Sequence, residues 1–267
     1  MFKTLFSRGN PPKIISVHSF RGGTGKSNVT ANLAATIASQ GFRIGIIDTD
    51  IQSPGIHILF GQDEQQFKYT LNDYLWGRCP VEKAAYDVTF VLKQNGSEVH
   101  RNSAIYLIPS SIKVGEISKI LREGYSVSRL NDGFKQIIQK LKLDYLIIDT
   151  HPGLNEETLL SISISDVLVL IMRPDRQDFQ GTAVTVEVAR KLAVPKLLIT
   201  VNKALPEFDF KSLKQQIENT YKAPVAGILP LCDEMVRLAS SDIFCLRYFD
   251  HPLTREVNGI ATLITQS

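Results

Sequence analysis

Short apolar runs rich in β-branched residues recur along the chain, separated by segments whose apolar positions return every three or four residues. The short runs predict strands over Ile14–His18, Arg43–Asp48, Ile105–Pro109, Tyr145–Asp149, Val167–Met172, Lys196–Val201 and Val225–Leu229. Several are apolar on consecutive residues instead of alternating, the pattern of strands covered on both faces. The longer periodicity predicts helices over Ser27–Gln40, with Gly41 as a stop, over Phe179–Leu192 and over Pro252–Ile264. Strands alternating with helices argue for right-handed βαβ units. The expected fold is α/β: a single-domain, doubly wound, mostly parallel sheet with helices on both faces. Residues 13–267 form that domain, 1–12 precede it as a tail, and the irregular, more polar stretch 62–103 is expected to be a peripheral insertion.

Composition narrows the class. With 43% hydrophobic and 21% charged residues in 267, the chain is an ordinary globular sequence, which excludes disordered, collagen-like and fibrous architectures. Three cysteines make no disulfide framework, and the apolar stretch before Arg8 is too short for a signal peptide. No apolar run approaches the roughly 20 residues that span a bilayer. A reducing cytoplasm is the expected compartment.

The net charge of +3 is unevenly spread. Lys3, Arg8, Lys13, Arg21, Lys26 and Arg43 fall within the first 47 residues, which contain no Asp or Glu. Two readings stand: a fluctuation around two phosphate-binding residues, or a basic end that faces an anionic ligand or surface.

The strongest local signal is Ser19-Phe20-Arg21-Gly22-Gly23-Thr24-Gly25-Lys26-Ser27, placed between a predicted strand and a predicted helix. That context defines a phosphate-binding loop. Glycines let backbone N–H groups turn inward around an anion, and the helix N-terminus adds its positive end. Gly22, Gly23, Thr24, Gly25, Lys26, Ser27 and Asn28 are therefore the expected nucleotide cradle. Lys26 would reach the β- and γ-phosphates, and the Ser27 hydroxyl would ligate Mg²⁺.

The ordinary pattern G-x-x-x-x-G-K-S/T fails here, because Phe20 occupies its first glycine position. What fits is the deviant form K-G-G-x-G-K-S/T, with Arg21 at the first basic position, and this resembles the ParA/MinD family of ATPases. The resemblance continues through Ile46-Ile47-Asp48-Thr49-Asp50, similar to the family's first switch, and Tyr145-Leu146-Ile147-Ile148-Asp149-Thr150-His151-Pro152-Gly153, similar to its Walker B strand and second switch. Val201-Asn202-Lys203 stands where the family has its adenine-reading Asn. Gly227-Ile228-Leu229-Pro230, followed by Asp233 and Val236, resembles its last strand and base-flanking loop. These matches run in order from residue 13 to about 262.

The resemblance implies a role for each matching residue. Asp50 would orient the attacking water, Asp149 would hold Mg²⁺ through a water, and Asp48 would sit beside the metal's hydration shell. Asn202 and Pro230 would flank the base. ATP and Mg²⁺ are the implied cofactors. ATP would drive a face-to-face sandwich homodimer, and an activating protein partner would speed a slow hydrolysis. Arg21 stands where the family's lysine crosses to the partner's nucleotide. Its planar fork of donors keeps the charge but not the geometry, which bears on turnover more than on nucleotide binding.

Other residues separate relatives. Cys79, Cys232 and Cys245 form no C-x-x-C, which argues against iron–sulfur chemistry. Gln52 replaces the Arg expected of the bacterial tyrosine kinases, and no tyrosine cluster ends the chain. His151 is read as a solvated switch-loop residue, with contact to nucleotide or partner as the other reading. His18, His57, His100 and His251 show no ligand spacing.

Family members attach reversibly to surfaces. On a helix, Met1, Phe2, Leu5 and Phe6 share a face flanked by Lys3 and Arg8, and Gly9 to Pro12 end the segment. Met1 to Arg8 is one candidate anchor for the inner face of the membrane; a frayed or packed terminus is the other reading. Arg237, Arg247 and Arg255 are candidates for non-specific DNA, diluted by Asp233, Glu234, Asp242, Asp250 and Glu256. The expected function is a spatial-organisation ATPase that positions a cargo or division site. The alternative is a nucleotide-gated binding or scaffold module with little hydrolysis.

Overall fold

The structure is a computed structural model that describes residues 11–93 and 99–266. The N-terminal candidate anchor, Met1 to Arg8, lies outside the described residues. Among the described residues eight strands form one sheet: β1 Lys13–His18, β2 Arg43–Asp48, β3 Tyr86–Asp87, β4 Ala104–Ile108, β5 Tyr145–Asp149, β6 Val167–Met172, β7 Lys196–Ala204 and β8 Val225–Pro230. Their spatial order is β3-β4-β2-β5-β1-β6-β7-β8. Every pairing is parallel except β3 with β4. The chain is thus a single doubly wound α/β domain.

The central strands are apolar on successive residues because helices cover both faces. All six residues of β6, Val-Leu-Val-Leu-Ile-Met, are buried, as are all five of β5. Helix α1, Lys26–Ser39, runs over one face of the sheet. Its Ala31, Ala34, Ala35 and Ala38 are fully buried, small enough for the helix to lie close against its neighbours. The C-terminal helix Pro252–Thr265 packs against α1 and β8 to complete that layer. On the opposite face, Leu130, Phe134, Ile137 and Ile138 of the Val127–Leu141 helix meet Ile148 and Leu146 of β5.

Element ends follow local chemistry. Gly41, at φ 90°, follows the end of α1, and its N–H closes on the Ala38 carbonyl. The helix expected from Phe179 starts at Arg176, because the Asp175 carboxylate caps the N–H groups of Gln177 and Asp178. β7 continues past Val201 to Ala204 through an irregularity in its register with β8. β3 is a strand the periodicity does not predict; two residues are too few to carry an alternation.

The described residues of the stretch 62–103 lie along the β4 edge. They form short helical turns and β3. Leu71, Tyr74, Leu75, Val81 and Ala84 are buried within the second apolar layer, so this part of the stretch contributes to the core.

Candidate active site

Parallel register brings the chemistry together. β5 lies between β2 and β1, and Asp149 is opposite Asp48 on one side and Val17 on the other. Neighbouring strands are roughly 4.8 Å apart, so two carboxylates end side by side at the C-terminal edge of the sheet. The phosphate loop leaves β1 next to them. This is the edge where ligands of open α/β sheets bind.

The loop is shaped by its glycines. Gly23 and Gly25 hold φ 75° and 90°, the left-handed region. A Cβ on Gly25 would come within 2.5 Å of Asn202 Nδ2, so no side chain fits there. Asn202 Nδ2 donates to the Thr24 carbonyl at 2.7 Å, and its Oδ1 accepts the Lys203 N–H at 2.9 Å. Lys203 Nζ donates to the Gly23 carbonyl at 2.8 Å. The end of β7 thus braces the loop that leaves β1. Beside it, a cavity of about 260 Å³ is lined by Gly25, Asn28, Asn202, Pro230, Met235 and Val236 among others. It is the apolar slot expected for a base. A larger hollow of about 630 Å³, between α1 and the Pro252–Thr265 helix, is lined by Thr36, Cys245 and Phe249 and holds none of the loop's residues.

The carboxylates are strained electrostatically. Asp48 and Asp149 are each only 1% exposed. Burial, then the charges of Asp149 and Asp50, push the Asp48 carboxyl well above the usual carboxylate range, against backbone N–H bonds from Asp50 and Gly55. Burial likewise raises Asp149, opposed by the Lys26 ammonium and by the hydroxyls of Ser27 and Thr30. Thr30 Oγ1 donates to Asp149 Oδ1 at 3.1 Å. Two buried carboxyl groups and a serine hydroxyl form a hard oxygen donor set, and a divalent cation of the Mg²⁺ kind would favour the ionised forms of the carboxyls. The residues fit the ion.

The switch loops are tied to one another. Asp50 Oδ1 accepts a hydrogen bond from His151 Nδ1 at 2.7 Å, and the His151 side chain is only 20% exposed. His151 is therefore not a solvated loop histidine, as the sequence suggested: it is packed against the carboxylate of the other switch. The Thr49 hydroxyl donates to the Asp149 carbonyl at 3.0 Å, a second link.

Several contacts have no sequence signature. His18 Nδ1 lies 2.7 Å from Thr150 Oγ1. Burial, then the charges of Lys26 and His151, lower its pKa to about 3. Phe20, the residue at the missing glycine position, packs on Gly181 of the Arg176–Lys191 helix, where a Cβ would lie 2.2 Å from its ring. Arg21 Nη1 donates to Gln177 Oε1 of the same helix. Glycine at 181 was the available clue, legible only with the neighbouring ring known.

Cys232, Glu234 and His251 also converge near the base slot. His251 Nδ1 accepts the Leu253 N–H, so the neutral ring keeps its proton on Nε2, which points toward Glu234 at 3.8 Å. The ring caps a helix and pairs with Glu234, leaving Nε2 no lone pair for a metal.

A strand, a glycine-rich loop closing on Lys26-Ser27 and a helix behind it, with acidic residues on the adjacent strand ends, define a P-loop nucleotide-binding protein. A family model described as AAA domain matches residues 12–199. The chain belongs to the ParA/MinD family of P-loop ATPases, whose members bind ATP. It is similar to an uncharacterized ATP-binding protein of Methanocaldococcus jannaschii, 26% identical over 92% of this chain and 85% of that one. It is also similar to the iron–sulfur cluster carrier protein of Methanococcus maripaludis, 30% identical over 73% of this chain and 62% of that one. Among solved structures, the septum site-determining protein MinD of Pyrococcus horikoshii, complexed with Mg-ADP, has a TM-score of 0.76 at 20% identity. That likeness covers 95% of this chain and 96% of the other.

Proposed function

We propose that the protein is an ATP-hydrolysing spatial-organisation ATPase, dimeric with ATP, that attaches reversibly to an intracellular surface and positions a cargo or division site. The observation that carries the reading is the convergence of Lys26, Ser27, Asp48, Asp149 and Asp50 at the ends of β1, β2 and β5, beside a base-sized slot. Backbone N–H groups of Gly22 to Ser27 and the start of α1 cradle the phosphates. Lys26 neutralises charge on the β- and γ-oxygens, and the slot bounded by Asn28, Asn202 and Pro230 takes the adenine. Ser27, Asp149 and Asp48 would hold Mg²⁺, which would supply charge neutralisation to the phosphate oxygens. Asp50 orients the water that attacks the γ-phosphorus while the bond to the β–γ bridging oxygen breaks, leaving ADP and phosphate.

The iron–sulfur reading suggested by one relative's name finds little support in the thiols. Cys79 is buried in one apolar layer and Cys245 in the other, and burial pushes the Cys245 thiol up to about 11. Steady-state phosphate release by wild type, Lys26→Ala and Asp50→Ala tests the enzyme. Turnover by wild type that both variants lose supports it. A wild type that binds ATP and dimerises without turnover supports the alternative, a nucleotide-gated module. The engagement of Arg21 by Gln177 favours that second reading, because it holds the basic arm on its own subunit.

For the surface, the membrane reading rests on Met1 to Arg8 and the DNA reading on Arg237, Arg247 and Arg255. Arg237 forms an exposed ion pair with Asp233 at 3.9 Å. Among the described residues no helix is long and apolar enough to cross a membrane. Co-sedimentation with anionic liposomes, with ATP and with ADP, decides between them. ATP-dependent pelleting that is lost on deleting residues 1–10 supports the anchor.

A further inference from the structure

One histidine, His151, belongs to the second switch, and another, His18, packs against the residue before it. His18 ends β1, is wholly buried, and meets the hydroxyl of Thr150. That hydroxyl donates its proton to the Val17 carbonyl at 3.0 Å, so it accepts from His18, and His18 carries its proton on Nδ1. Thr150 is thereby fixed on both sides of its oxygen. The next residue, His151, reaches across from the end of β5 to the end of β2 and meets Asp50 Oδ1. The Ser53 N–H, shared with the Asp50 backbone carbonyl at 3.1 Å, donates to the same oxygen at 3.2 Å. Both donors converge on Oδ1. Among the described residues Oδ2 takes no hydrogen bond, which leaves it as the oxygen able to accept a water proton.

We propose that His151 is the positioning residue for Asp50, donating from Nδ1 to fix the carboxylate so that Oδ2 is presented to the attacking water. This inference rests on the reading of Asp50 given above. A carboxylate on a loop turns freely about two side-chain bonds, and catalysis by positioning is lost when it does. A charge-assisted hydrogen bond removes that freedom. Because Thr150 is clamped by His18, the donor itself is anchored in the sheet rather than floating with the loop.

The test compares ATP turnover of full-length wild type with His151→Ala, His151→Asn, His151→Gln and Asp50→Ala, together with hydrogen exchange at the Ser53 amide. His151→Ala is expected to lower kcat by about 10- to 100-fold, the range set by one hydrogen bond to a charged group. KM for ATP should stay within about twofold, since ground-state binding is untouched. Asn places an amide N–H where Nδ1 stands and recovers most of the loss; Gln reaches instead toward the Nε2 position and recovers little. The Ser53 amide exchanges faster in the Ala variant than in the Asn variant. Wild-type kcat in His151→Ala, with Asp50→Ala inactive, overturns the positioning role and leaves the proposed function standing. Equal rescue by Gln and Asn overturns the Nδ1 geometry. Wild-type turnover by Asp50→Ala removes the catalytic reading itself and this inference with it. Should the Ala variant not fold, the Asn and Gln variants carry the comparison alone.

Discussion

Asn202 Nδ2 donates to the Thr24 carbonyl at 2.7 Å, joining the end of β7 to the middle of the phosphate loop. The amide is committed twice, since Oδ1 holds the Lys203 N–H. Asn202→Ala is expected to weaken ATP binding by about tenfold, near the 1.4 kcal/mol of one such bond. Asn202→Asp should do worse, because it sets a carboxylate against a carbonyl oxygen. Titration with a fluorescent ATP analogue reads both; equal affinity in wild type and Asp variant contradicts the bracing role.

Gly25→Ala meets two obstacles, the positive φ and the Asn202 amide 2.5 Å from the new Cβ. The strain is of the order of 1–3 kcal/mol and falls on the loop, not the core. The variant should keep its far-ultraviolet dichroism and lose nucleotide binding. Retained binding would show that the loop relaxes around the methyl.

Burial raises the Asp149 carboxyl, so its folded form holds a proton more tightly than its unfolded form. The sign follows: stability is present below the ordinary carboxylate value and declines as pH rises toward the folded one. Above the ordinary carboxylate value, burial of this carboxyl opposes folding of the nucleotide-free protein. Asp149→Asn should therefore raise the melting temperature without ligand, while the further rise on adding Mg²⁺ and ATP shrinks. A lower melting temperature without ligand contradicts the electrostatic account.

His18 behaves oppositely. Its pKa is lowered to about 3 in the folded chain against 6.5 for an ordinary histidine. Between those values the unfolded chain binds the extra proton, so stability is full above 6.5 and falls as pH drops toward 3. The loss is about 1.4 kcal/mol per pH unit within that window. Chemical denaturation at pH 7.5 and 5.5 should show the difference in wild type, and a smaller one in His18→Gln.

Arg21 is held by Gln177 on its own subunit. For Arg21 to meet a partner's phosphates, that contact must open. Arg21→Ala should abolish ATP-driven dimerisation and leave the affinity of the monomer for nucleotide within about twofold, because the loop's backbone donors remain. Gln177→Ala should favour the dimer. Light scattering with ATP and ADP measures both, and unchanged dimerisation in Arg21→Ala ends the in-trans role.

The parts of the site legible in the sequence are those built from contiguous residues. A β-branched run, two turning glycines and Lys26-Ser27 fix the phosphate loop within fifteen positions, and Asp48 and Asp149 each close an apolar run. The contacts that escaped are set by strand order, which the sequence does not display. Thr30 and Asp149 are 119 residues apart, and His18 and Thr150 are 132 apart. They meet because β5 is inserted between β2 and β1. His151 and Gln177 escaped for the same reason, and Phe20 looked only like a missing glycine until its ring was seen to need Gly181. The helix boundary at Arg176 was hidden by a capping Asp that also reads as a loop residue.

The short antiparallel strand β3 has a consequence for how copies of this chain can meet. It takes up the β4 backbone opposite Tyr106 and Leu107, while the Thr89 hydroxyl takes the Ile105 N–H at 3.0 Å and the Val88 N–H takes the Ile105 carbonyl at 2.9 Å. The open margin of an eight-stranded sheet is the natural template for runaway strand addition and amyloid growth. Here β3 itself is one of the two margins, and an edge strand of two residues offers an incoming chain little backbone to pair with, so encounters on that side are turned away from irreversible stacking.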